Sequence, residues 1–207
     1  MNTSSQKEGR GLWAWDLVQT IIALSTLLFL WFLYRYGFSE EGLRQVIRWT
    51  ARIDVFLFCM AFSTSAAHLL IRNSFSFWWK MNRKFFGISF ALLHLIHLAF
   101  LGLLQLYFHP VFEQAAGISL MAGGLAYFFI GSMLLTSFPF FSKWISSENW
   151  RRLHTFGGYW IWMVFMSTTW KAIMGGVYER VPAGVVLVLV LLLRLWALYK
   201  KRSLDLS

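Results

Sequence analysis

The chain has 207 residues, of which 58% are hydrophobic, 19% aromatic and only 14% charged, with a net charge of +10. That balance excludes an ordinary soluble domain, and a nucleic-acid binder would gather its charge on one soluble face. What it predicts is an all-α integral membrane protein, with the lipid bilayer as its first partner. One cysteine, Cys59, cannot form an internal disulfide and reads as a small packing residue.

Apolar blocks fall at about 15–34, 54–71, 85–107, 118–138, 153–174 and 183–199. Since roughly 20 helical residues cross a hydrocarbon core, six transmembrane helices are expected, forming a single transmembrane domain over 1–207. The polar start, MNTSSQKEGRGLWAWD, has no small-residue cleavage site, so the first span is expected to remain as an anchor. Between the first two spans, SEEGLRQVIRWTAR reads as a separate short surface helix. Ser39 caps it, and Glu40 and Glu41 occupy its first turn. Arg44, Arg48 and Arg52 line one of its faces. That face suits lipid headgroups, or Arg52, at the mouth of the second span, neutralises a buried anion such as a haem propionate.

Pro110 follows the third span, Pro139 ends the fourth and Pro182 opens the sixth, where its missing N–H costs nothing. Gly123, Gly124, Gly131, Gly157 and Gly158 are expected to permit close helix approach. Trp78, Trp79, Trp144, Trp150 and Trp170 sit near span ends, as an interfacial belt requires.

Lys and Arg set orientation. Thirteen of the nineteen fall in the two tails and the segments around 72–84 and 139–152, which predicts cytoplasmic N- and C-termini.

Of the five histidines, His68, His94, His97 and His154 lie within spans, and His109 sits beside Pro110 at an interface. Ionisable groups in a membrane are costly and usually functional, and neutral imidazole is a common iron ligand. From a rise of about 1.5 Å per residue, His97 lies about 20 Å in from the cytoplasmic edge and His94 about 15 Å. His68 and His154 are roughly level with each other near the cytoplasmic edge. His94 and His97 share a helix face, so they cannot grip one iron from opposite sides.

Asp16, Asp54, Glu113, Glu148 and Glu179 are all expected at helix ends, which argues against a transporter with mid-membrane acids. No HExxH, no Ser/His/acid set and no dinucleotide-binding glycine motif occurs.

Thr50 to Arg52 (TAR), NRKFFGISFALLHLIH with Gly87 ten residues before His97, Thr136–Ser137, and ENWRRLHTFGGY together resemble the ferric reductase-like transmembrane domain family. In particular they resemble its bacterial branch that serves as the haem-binding membrane subunit of methionine sulfoxide reductase. The resemblance covers about residues 45–175. It implies a six-helix cytochrome b-like module, an electron-transfer subunit of an oxidoreductase in the bacterial inner membrane. Haem b is the implied cofactor, with electrons from quinol or from flavin on a separate redox protein at the cytoplasmic or outer face.

On the same resemblance, His97 and His154 match two of the family's iron ligands. The second histidine of the fifth span would fall at position 167, where this chain has Ser167. Three alternatives stay open. Haem is held by His97 alone or with a substitute such as Met166; haem is held by the level pair His68 and His154; or a haem-free accessory or assembly protein retains the scaffold. His94 is then a polar helper.

Overall fold

The computed structural model describes residues 5–109 and 117–205, with side chains over 14–109 and 121–203. Pro110 and Glu113 lie outside the described residues. In chain order the helices are α1 (Ser5–Tyr36), α2 (Glu40–Leu70), α3 (Ser74–Met81), α4 (Arg83–Phe108), α5 (Gly117–Leu135), α6 (Pro139–Ser142), α7 (Ser147–Met174) and α8 (Val181–Asp205), with a 3₁₀ turn at Tyr178–Arg180 before the last. Among the described residues there is no strand.

Among the described residues, four stretches are both long and apolar enough to cross a membrane: Ala14–Tyr36, Glu40–Leu70, Ser74–Phe108 and Tyr178–Ser203. A shorter apolar helix covers Met121–Leu135. The chain is therefore an all-helical protein whose apolar helices fit a lipid bilayer.

The separate surface helix expected over 39–52 does not exist as such. It is the first half of α2, which runs unbroken for 31 residues. The physical reason is that neither glycine nor proline occurs between Leu43 and Leu70 to stop it; the change from charged to apolar residues near Ile53 alters the helix's surroundings, not its backbone. The expected cap is present: Ser39 Oγ accepts the Gly42 N–H at 3.1 Å. Glu40 and Glu41 pair with Arg44 (2.6 Å) and Arg48 (3.1 Å) on the exposed face. His109 is exposed and closes α4 in a left-handed conformation (φ 43°), its N–H bonded to Gln105 O.

The described chain divides into two compact units. The first gathers α1, α2 as far as Phe58, and α4. Within it, Trp15 meets Phe85 and Phe29 meets Phe100, so α1 and α4 run parallel. Phe58 meets Phe90 at 5.5 Å, which sets α2 antiparallel to α4. Leu43, Val46, Ile88 and Leu93 are almost wholly enclosed. In lipid the gain from such burial comes from close packing, since lipid tails are as apolar as leucine.

The second unit gathers the rest of α2, α3 and α5–α8. Indole N–H groups tie its elements together by donating to backbone carbonyls: Trp79 to Met60 (3.1 Å), Trp160 to Ala122 (3.2 Å) and Trp162 to Leu187 (2.9 Å). Gly157 is where α5 and α7 meet. A Cβ there would stand 2.8 Å from Met133 Sδ and 3.2 Å from the Phe129 ring. Gly158 similarly faces the Phe62 ring. Gly123, Gly124 and Gly131, expected to do the same, face open space among the described residues; which glycine meets a neighbour depends on rotation about the helix axis.

Arg194 lies within the last apolar stretch and not in the tail. Its guanidinium donates to Phe62 O (2.6 Å) and to the Tyr159 hydroxyl (3.3 Å), and stacks 3.9 Å from the Phe62 ring centroid.

Candidate functional site: imidazoles and a carboxylate on α2 and α4

The antiparallel pairing of α2 and α4 brings one turn of each helix together. Thr50 and Asp54 stand four apart on α2, and His94 and His97 three apart on α4, so each pair shares a face. His97 Nδ1 lies 2.7 Å from Thr50 Oγ1, and His94 Nδ1 lies 2.8 Å from Asp54 Oδ2. The two imidazole rings are nearly parallel, 14° apart with centroids separated by 5.4 Å. Thr50 and Asp54 are completely enclosed (0% exposed), and His94 and His97 are partly buried.

The Thr50 hydroxyl carries one hydrogen and reaches both Ile47 O at 2.9 Å and His97 Nδ1 at 2.7 Å, so the bond to His97 takes its direction from the imidazole tautomer. Asp54 Oδ2 and His94 Nδ1 likewise share one hydrogen between them. Two buried side-chain polar atoms have no hydrogen-bond partner among the described residues, Asp54 Oδ1 and Ser89 Oγ, and both belong to this unit. Such atoms are exceptions in native proteins.

Asp54 is the residue that sequence reasoning missed. It is not at a helix end but fifteenth in a helix of 31 residues, fully enclosed and paired. The available signal was the match between the Thr50/Asp54 spacing on one helix and the His94/His97 spacing on another. Arg52, on the same stretch of α2, is partly buried with its guanidinium carbon 4.8 Å from the centroid of the Trp49 ring.

The other two candidate histidines belong to the second unit. His68 Nδ1 lies 3.1 Å from Ser76 Oγ. The same hydroxyl is within reach of Ile71 O and Asn73 O. His154 differs: its Nε2 lies 3.2 Å from Thr136 Oγ1. Thr136 Oγ1 also lies 2.8 Å from Ser132 O. The His154 ring stacks on Trp150 at 4.0 Å, and the Trp150 indole donates to Thr136 O at 3.1 Å. His154 thereby joins the start of α7 to the end of α5.

Iron in haem takes a neutral imidazole nitrogen, and the other ring N–H is normally held by a neighbouring acceptor. His97 and His68 both make their hydrogen bonds through Nδ1. His154 has Nε2 committed to Thr136, and ligation through that atom requires the bond to break. Ser167 is exposed and Met166 partly buried on α7. A bare ion is a different matter: among the described residues no group of three or more His, Cys, Asp or Glu is arranged to hold one.

The chain is an all-helical protein whose apolar helices fit a lipid bilayer, with an enclosed carboxylate paired to an imidazole between two of those helices. No protein-family model and no curated protein matches the chain.

Proposed function

We propose that the chain is a six-helix, ferric reductase-like membrane module that binds haem b through His97 and serves as the electron-transfer subunit of an oxidoreductase. The observation that supports this is the Thr50–His97 hydrogen bond, which engages Nδ1 at 2.7 Å as the non-ligating nitrogen of a haem histidine is engaged. When bound, haem b supplies one-electron exchange. The protein's part is to hold the His97 ring at fixed tautomer and orientation and to keep water from it. Arg52, two residues from Thr50 on the same helix, would be the cation that meets an acidic group of the cofactor.

The six crossings would be α1, α2, α4, α5, α7 and α8. With 19 and 28 residues, α5 and α7 are long enough to join the four more apolar stretches. Both termini would then face the cytoplasm of a bacterium, together with α3, α6 and the basic residues Lys80, Arg83, Lys84, Arg151 and Arg152. Those cations would steer a separate redox protein, flavin-bearing or otherwise, toward that face; quinol is the alternative donor.

A second function, a haem-free accessory or assembly protein on the same scaffold, is favoured by Ser167 and by the capped Nε2 of His154. The visible spectrum of the detergent-purified protein, oxidised and dithionite-reduced, with a pyridine haemochrome assay, separates the two. A near-stoichiometric Soret band with reduced b-type bands is expected. A colourless protein from haem-replete cells leaves the accessory function.

A further inference from the structure

Among the described residues, the first turns of α7 carry more positive charge than the nearby carboxylates balance. Arg152 pairs with Glu148 at 2.6 Å, but no described acid pairs with Arg151. Two turns farther along, the guanidinium of Arg194 on α8 is held by Phe62 O, the Tyr159 hydroxyl and two aromatic rings, none of which is negatively charged. Arg151, Arg152, Thr155, Phe156 and Tyr159 line an open groove of about 640 Å³. Helical spacing sorts them into two rows. Arg151, Thr155 and Tyr159 make a polar row of guanidinium, hydroxyl and phenol, about 12 Å long. Arg152 and Phe156 make the neighbouring row, and the Phe156 ring is 59% exposed.

A cationic row beside an exposed aromatic ring matches an anion with an apolar tail. The groove's volume is that of a site for a small organic ligand, and basic pockets on membrane helices are where acidic lipid headgroups bind. We propose that this groove on α7 is a binding site for an anionic phospholipid, with the phosphate on Arg151 and Thr155 and an acyl chain along Phe156. Arg151 offers the phosphate a charge-assisted, two-pronged hydrogen bond. Thr155, one turn on, donates its hydroxyl hydrogen. Tyr159 accepts from Arg194 and so has its own hydrogen to give to an ester oxygen deeper in the groove. A soluble phosphate would use the polar row alone; the exposed Phe156 beside that row is the reason for choosing the lipid. The site stands whether or not haem is bound.

The test is native mass spectrometry of the purified full chain titrated with phosphatidylglycerol or phosphatidylcholine of matched acyl chains. Phosphatidylcholine carries the same phosphate but adds a cation of its own, which Arg151 and Arg152 repel. One phosphatidylglycerol per chain should bind about tenfold more tightly than phosphatidylcholine, the worth of a charge-assisted hydrogen bond. Arg151→Gln, at an exposed position, should lose that tenfold. Lys143→Gln, a cation outside the groove, should lose less than about fivefold, the worth of a general surface charge. Equal affinity for the two lipids, or equal losses in the two variants, overturns the site. Inorganic phosphate and glycerol phosphate should leave the bound lipid in place; displacement by either overturns the lipid in favour of a soluble phosphate. If Arg151→Gln does not fold, Thr155→Val, also exposed, takes its place, and an unaltered phosphatidylglycerol affinity there overturns the site.

Discussion

The two units treat their histidines differently. In the first, His94 and His97 meet a fully enclosed carboxylate and hydroxyl, and among the described residues one carboxylate oxygen has no hydrogen-bond partner. In the second, His68 and His154 meet hydroxyls, those of Ser76 and Thr136, which also reach nearby backbone oxygens. A neutral imidazole on a hydroxyl is an ordinary way to close a helix junction, and the Trp150 ring and indole N–H around His154 reinforce that use. An imidazole on a buried acid is not ordinary, because enclosing an acid is costly unless it is paired. The comparison separates helix junctions closed by hydroxyls from one that also encloses an acid.

The largest effect expected on that contrast comes from His94→Leu, which leaves the Asp54 carboxylate buried and alone. Breaking such a pair costs about 3–5 kcal/mol, and the double change Asp54→Leu/His94→Leu should recover much of it. Detergent-phase unfolding of the two single variants and the double would measure the coupling. His154→Leu, by contrast, removes one neutral hydrogen bond worth about 0.5–1.5 kcal/mol. Equal losses from the two histidines would erase the distinction between the units.

Next in size is the α5–α7 contact of the second unit. Gly157→Ala places a methyl group 2.8 Å from Met133 Sδ and against Phe129, and overpacking of that kind costs about 1–3 kcal/mol. Gly131→Ala meets open space and should be neutral or gain up to about 1 kcal/mol from helix propensity. Thermal melts of the two side by side would show whether α7 is seated on α5 as described. The smallest effect is Trp162→Phe, which deletes the indole bond to Leu187 O and should cost about 0.5–1.5 kcal/mol. A loss of several kcal/mol there would mean that the second unit depends on its indoles more than on its glycines.

Much of the helical layout was legible, because a long apolar block bounded by charges has few other forms. The block at 85–107 became a helix over 83–108, and that at 183–199 a helix over 181–205. What was not legible depends on rotation and neighbours. Composition shifts at Ile53, so Asp54 was placed at a helix end; only the unbroken backbone of α2 shows it to be central. Gly131 and Gly157 are the same residue type in two apolar helices, and only the partner across the contact tells them apart. His97 and His154 both match ligand positions in the resemblance, and which ring nitrogen each commits, Nδ1 to Thr50 or Nε2 to Thr136, depends on neighbours that the sequence does not place.

The central claim is that the cofactor site belongs to the imidazoles on α4 and not to the one that fastens α7. Its most direct test is the Soret absorbance per mole of purified His97→Ala and His154→Ala, prepared from haem-replete cells beside the unaltered protein. We predict a colourless His97→Ala and a His154→Ala that keeps its pigment. Pigment retained by His97→Ala and lost from His154→Ala would contradict the account.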